Sequence, residues 1–96
     1  MINGINSREM ILEISLEIEE GEHSHVAIRN ALSKYQFLPK QDRAFITRVC
    51  EGTLEYRIQI DYIINSFSKV TVDKMKPAIR EILRSAVYQL KYMDSV

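Results

Sequence analysis

Apolar residues recur at steps of three and four along almost the whole of this chain, and that period constrains the fold more than any other feature. From Lys40 to about Ser66 it runs without a break: Phe45, Ile46, Val49, Thr53, Tyr56, Ile60, Ile63 and Ile64 lead on to Phe67. Such spacing lines one face of a helix rather than alternating faces of a strand. Chain breakers are scarce, with glycine at 4, 21 and 52 and proline at 39 and 77. No Asn-Gly or Asp-Gly pair stands between alternating apolar runs, so a hairpin has no signal. Val70-Thr71-Val72 is the one β-prone run, three residues long and without a partner.

The helix boundaries follow from local chemistry. Asn6 with Glu9 makes a capping-box-like pair that starts a first helix, whose Met10, Ile11, Ile14 and Ile18 share one face while Leu12 and Leu16 share another. Two apolar faces place that helix centrally. Glu17, Glu19, Glu20 and then Gly21 mark its end, although acids are unfavourable at a helix C-terminus. A Ser24 cap opens a second helix with Ala27, Ile28, Ala31, Leu32 and Tyr35 on one stripe. Leu38 and Pro39 form the next turn, Pro39 at the tolerated first helical position. Gly52 weakens the long stretch by about 1 kcal/mol relative to alanine, so it signals a close helix approach or a bend. The expectation is two helices meeting near Tyr56 and Arg57. Pro77 opens the last helix, expected to pack on the first and third through Ile82, Leu83, Ala86, Val87 and Leu90. The reading is an orthogonal bundle of about five helices in one domain spanning residues 1–96.

Composition excludes several functions. The chain has 13 basic and 13 acidic residues among 96, a formal net charge of zero, so bulk charge alone cannot hold nucleic acid and any such affinity is local. No run of eighteen apolar residues exists to span a membrane, and the N-terminus lacks the basic-then-apolar order of a secretory signal. A cytoplasmic setting is expected. The single cysteine, Cys50, forms no internal disulfide; it lies on the apolar stripe and reads as core. His23 and His25 lack the third and fourth ligands that zinc requires, so no metal is expected.

The basic residues are unevenly placed. Lys69, Lys74, Lys76, Arg80 and Arg84 cluster around the last connector, and Arg43, Arg48 and Arg57 punctuate the long helical stretch. Interleaved with Tyr56, Tyr62, Tyr88 and Tyr92, they offer phosphate contacts and stacking surfaces of the kind single-stranded RNA requires. A solvated charged face explains the same spacing. Asp42-Arg43, and Asp61 with Arg84, adjoin apolar faces and read as capping or ion pairing. On its residues alone, the chain is a small helical domain that binds RNA or protein weakly.

Three stretches taken together go further: SREMILEISLEIEEGEHSHVAIRNAL, DRAFITRVCEGTLEYRIQIDYIINSFSK and MKPAIREILRSAVYQLKYMDSV. Asp42-Arg43, Glu51-Gly52-Thr53-Leu54, Asp61 before Ile63-Ile64, Phe67-Ser68-Lys69, Pro77, and Leu83-Arg84 leading to Tyr88-Gln89-Leu90 stand in an order that resembles the NusB-like RNA-binding domain. The closer likeness is to its version at the N-terminus of bacterial small-subunit rRNA cytosine-5 methyltransferases (the Sun/Fmu/RsmB type).

That resemblance implies an all-α fold of two packed helical subdomains, continuing through a Met-Asp-x-x-Pro turn into further helices. Met93-Asp94-Ser95-Val96 matches the start of that turn without its proline, so the chain is expected to be a piece of a longer protein lacking its last helices. The resemblance implies a non-catalytic accessory domain that helps hold ribosomal RNA. The catalytic cysteines and the S-adenosylmethionine site would lie in the missing catalytic domain, which becomes a partner in its own right; Cys50 matches neither cysteine. Free-standing NusB antitermination factors use an arginine-rich first helix on RNA, whereas this chain has Arg8 alone there, with Glu9 beside it. The RNA-contact candidates carried over are Arg8, Arg43, Arg80 and Arg84, the last three equally suited to tying helices together. The alternative is an antitermination factor acting in transcription, or a protein-docking module. If absent helices normally cover the last one, its apolar face is exposed and self-association results.

Overall fold

The computed structural model describes residues 6–93. Five α-helices are present: α1 (Ser7–Glu19), α2 (Ser24–Lys34), α3 (Lys40–Glu55), α4 (Arg57–Phe67) and α5 (Pro77–Tyr92), with a short 3₁₀ turn (Val72–Lys74) before α5. The β-prone run at 70–72 is thus a bend entering that turn, and Asn65 Oδ1 accepts from the Val72 N–H at 2.9 Å. Among the described residues there is no strand.

Local signals set the ends of α1. Asn6 Oδ1 accepts from the Glu9 N–H at 2.8 Å, and the Asn6 amide donates to Glu9 Oε1 at 2.8 Å. The acid therefore reaches back to the capping side chain. At the other end, the Gly21 N–H bonds to Ile18 O and the Glu22 N–H to Glu17 O. That paired closure needs a left-handed residue just past the helix, and Gly21 supplies it at φ 112°. The start of α2 differs from expectation: Ser24 is the first helical residue, and His23 precedes it with no side-chain cap bond. Pro39 likewise stands just before α3, while Pro77 opens α5 as the spacing predicts.

Helix α1 is central, touching α2, α3 and α5. It buries Met10, Ile11 and Ile14 against Ala27, Ile28 and Ala31 of α2 and Ile46, Val49 and Cys50 of α3, with Ile60 and Ile64 of α4 completing one core. Met10, Ile14, Ile46, Val49, Ile60 and Ile64 are the largest fully buried side chains, each worth about 1.5–3 kcal/mol relative to exposure.

The break between α3 and α4 falls at Tyr56 (φ −104°, ψ 20°). Three tyrosines close this corner. Tyr56 stacks on Tyr92 with ring centroids 4.3 Å apart, and Tyr92 on Tyr88 at 5.5 Å. Tyr88 lies directly over Gly52, where an added Cβ would overlap Cζ, Cε1 and Oη of its ring. Gly52 is thus a close-approach glycine. Gly52→Ala gains about 1 kcal/mol of helix propensity but forces a buried ring to move, at a cost of about 1–3 kcal/mol. In urea titrations the variant is expected to unfold earlier than wild type, and in a Tyr88→Ala background the same change is expected to stabilise. Destabilisation of equal size in both backgrounds would exclude the ring as the cause.

One expected packing face is corrected. Helix α5 does meet α1 and α3, and α4 as well, but the side chains it buries are Glu81, Arg84 and Tyr88. Leu83 and Val87 are half-buried, whereas Ile82, Ala86 and Leu90 face outward. The reason is a set of ion pairs formed with residues far away in the sequence.

Candidate nucleic-acid interface

The four arginines singled out by sequence have very different surroundings. Arg84 is buried. Its Nε and Nη2 donate to the two oxygens of Asp61, both at 2.8 Å, and Nη1 donates to Glu81 Oε2 at 2.7 Å. Glu19 Oε2 stands 3.7 Å from the same Nη1. Arg80 grips Glu19 in a fork, with both contacts at 2.7 Å, and its Nη1 donates to the carbonyls of Val72 at 2.9 Å and Met75 at 3.1 Å. These bidentate, charge-assisted bonds are the strong kind. They tie α1, α4, α5 and the 3₁₀ turn together, and they neutralise the acid at the α1 C-terminus. Arg43 is half-buried and donates to Leu32 O at 3.0 Å and to Tyr35 O at 3.3 Å, the latter shared with the Leu38 N–H, and so ties α3 to the end of α2. Arg8 alone of the four is exposed, at the rim of a groove between α1 and α5.

In this network three carboxyl groups face two guanidinium groups. Arg80 holds the Glu19 carboxyl well below the usual carboxylate range, whereas burial pushes Glu81 up, reinforced by the neighbouring Glu19. The most deeply buried acid therefore keeps its proton longest. The acids of this network are matched to guanidiniums, and Glu81 also borders the α1–α5 groove. Cys50 is buried, and burial pushes its thiol up to about 12, far from a thiolate nucleophile. His23 and His25 stack with ring centroids 5.9 Å apart, and no group of three or more His, Cys, Asp or Glu side chains converges among the described residues. No helix among them is long and apolar enough to cross a membrane.

The stacking surfaces also differ from expectation. Tyr88 is buried, and Tyr56 and Tyr92 cover each other, so of the four interleaved tyrosines only Tyr62, 76% exposed, presents an uncovered ring. A second basic region was noted by sequence only through Arg43 and Arg48. From His23 to Arg48 there are five Lys and Arg residues against one acid, Asp42. Arg29, Lys40 and Arg48 of that segment are exposed, as is the Phe37 ring at the α2–α3 turn. Local net charge by segment would have added Arg29 and Lys40, which whole-chain charge hid.

An all-α bundle with α1 at its centre and arginines binding helix to helix is the setting for the comparisons with known proteins. The NusB family model matches residues 5–96. The chain belongs to the NusB family. Curated relatives include a probable ribosomal RNA small subunit methyltransferase B of Bacillus subtilis (strain 168), 27% identical over 93% of this chain and 20% of that protein. A probable ribosomal RNA small subunit methyltransferase B of Synechocystis sp. is 30% identical over 96% of this chain and 21% of the relative. The transcription antitermination protein NusB of Syntrophomonas wolfei is 25% identical over 92% of this chain and 66% of its own length. The chain thus spans about a fifth of the length of the methyltransferases it matches. No solved structure matches it significantly.

Proposed function

We propose that this NusB domain is the non-catalytic RNA-binding part of a small-subunit rRNA cytosine-5 methyltransferase, working in the cytoplasm. The observation that carries this reading is the pattern of coverage: nearly all of the chain aligns with about a fifth of each methyltransferase. Methyl transfer and S-adenosylmethionine binding would belong to the rest of such a protein. The role of this domain would be to raise the local concentration of substrate RNA near a tethered catalytic domain, as linked binding modules do.

Phosphate contacts need cations that are not already paired. Arg8, Arg29, Lys40 and Arg48 are exposed, with Phe37 available for stacking; Arg43, Arg80 and Arg84 hold the helices that display them. Mobility-shift titration against small-subunit rRNA fragments at several salt concentrations tests this. Binding is expected in the micromolar range, with a log–log salt slope of about −0.7 per single-strand phosphate contact. Combining Arg29→Glu, Lys40→Glu and Arg48→Glu is expected to flatten that slope by about 2 and weaken binding at least tenfold. Salt-insensitive binding, or none at micromolar protein, would sink the RNA reading.

The antitermination relative, matched over two-thirds of its length, supports a second reading as a transcription factor of the NusB type. The reading frame beyond Val96 separates the two. A continuing methyltransferase domain favours the first, and a stop after a few more helices the second.

A further inference from the structure

The ion pairs of Arg80 and Arg84 tie α1, α4 and α5 together, yet α3 contributes no charged side chain to them. Helix α3 nevertheless packs against both α1 and α5. Where these three helices meet, a cavity of about 20 Å³ is lined by Ser15 and Glu19 of α1, Cys50 and Thr53 of α3, and Glu81 and Arg84 of α5. Thr53 is buried, and its Oγ1 is the one buried side-chain polar atom among the described residues with no hydrogen-bond partner in the protein. A threonine hydroxyl inside a helix can turn back to the carbonyl four residues earlier. Thr47 does so, donating to Arg43 O at 3.0 Å, but Thr53 does not. Glu81 also has bonding capacity to spare. Arg84 Nη1 donates to its Oε2 at 2.7 Å, which leaves Oε1 to another group.

Size and charge define what the cavity takes. About 10–15 Å³ is enough for one water, provided that two to four polar groups face it. Glu19 and Glu81 make the site unfit for an anion. Arg84, together with Arg57 in the same wall, makes it unfit for a cation. An apolar guest would leave both the Thr53 hydroxyl and the Glu81 carboxyl without a partner. We propose that a single structural water occupies this cavity and bridges Thr53 Oγ1 to Glu81 Oε1, with the Ser15 hydroxyl as its third partner. Water can donate to a carboxylate or accept from a carboxyl, so the same molecule serves Glu81 in either protonation state. Through this bridge α3 joins the helices that the guanidinium groups already hold together.

Oxygen-17 relaxation dispersion of the 96-residue chain, which counts waters held longer than the tumbling time, tests the proposal. Thr53→Val keeps the shape of the side chain and removes its hydroxyl, and it is expected to lower the count by one relative to wild type. Glu81→Leu, which removes the other end of the bridge, is expected to lose the same water, so the combined variant loses no more than either alone. Thr53→Val is also expected to lower the thermal midpoint by about 4–8 °C, since a bonded hydroxyl is lost from a domain of this size. The sign of that shift is decisive. If the hydroxyl has no partner, valine is the better residue and the midpoint rises, which overturns the proposal. An unchanged water count in Thr53→Val overturns it as well. Loss of the water in Thr53→Val but not in Glu81→Leu overturns the bridge to Glu81.

Discussion

Arg84→Ala lowers the thermal midpoint of this domain by tens of degrees. The substitution removes both bonds to Asp61 and the bond to Glu81, leaving these partly and fully buried acids without the guanidinium that pairs with them. Breaking one side of a buried pair costs about 3–5 kcal/mol. A domain of this size has a total stability of about 5–15 kcal/mol, and each kilocalorie shifts its midpoint by about 4–8 °C. The loss therefore amounts to about 12–40 °C, read by circular dichroism on heating. The cost reflects stranded charge more than a lost bond. Hence Arg84→Met combined with Asp61→Asn and Glu81→Gln is expected to recover most of it, because no ion is then left alone. A drop below about 1 kcal/mol for Arg84→Ala would mean that water reaches the network and screens it.

Stability is expected to peak near pH 5 and to fall on both sides, for opposite reasons. Glu19 has a depressed folded-state pKa, so its contribution is complete above the ordinary carboxylate value and is lost as the pH drops toward about 2. Glu81 behaves in the reverse sense. Its folded-state pKa is raised to about 7, so the native state holds a proton that the unfolded chain has already released. Stability is then lost as the pH climbs from the ordinary carboxylate range through about 7, by on the order of 3 kcal/mol. Glu81→Gln keeps the acceptor for Arg84 Nη1 and removes the titration. Urea unfolding at pH 5, 6.5 and 8 is expected to show wild type weakening steadily while the variant holds level, the two crossing between pH 5 and 8. Parallel curves for the two proteins would refute the assignment of the proton to Glu81.

The two expectations come from the one feature that periodicity could not supply. Amphipathic spacing located the five helices, and pairs of local residues fixed several of their ends: Asn6 with Glu9, Gly21 after the acidic run, and Pro77. Gly52 was legible as a close approach or a bend; the structure makes it a close approach, and the approaching group is Tyr88. The capping of α2 was misread because a serine three residues past a glycine looks like a cap whether or not its side chain turns inward. Of the candidate interface, the sequence offered the right residue types but could not tell a displayed arginine from a structural one. Arg84 could be paired with Asp61 on spacing alone, but nothing in the sequence gave Arg80 its partner Glu19, 61 positions away. Arg29 and Lys40 were overlooked, and Arg48 was grouped with Arg43 and Arg57 instead, because the three are spread over two helices that only the fold sets side by side.

The sequence by itself determined that this chain is helical, where its turns fall, which residues of α1 to α4 are apolar enough to be buried, and which family pattern it carries. These are local properties, set within one or two turns of helix, where spacing and capping act. The tertiary structure decided which face of α5 points inward. That helix has an aliphatic stripe and a charged one, and either satisfies the helical period. The choice is made by Glu19 and Asp61, which stand 61 and 23 positions from their arginine partners along the chain. Once those carboxylates take Arg80 and Arg84, the aliphatic stripe has nowhere to go but out, because an unpaired buried ion costs more than exposed isoleucine and leucine.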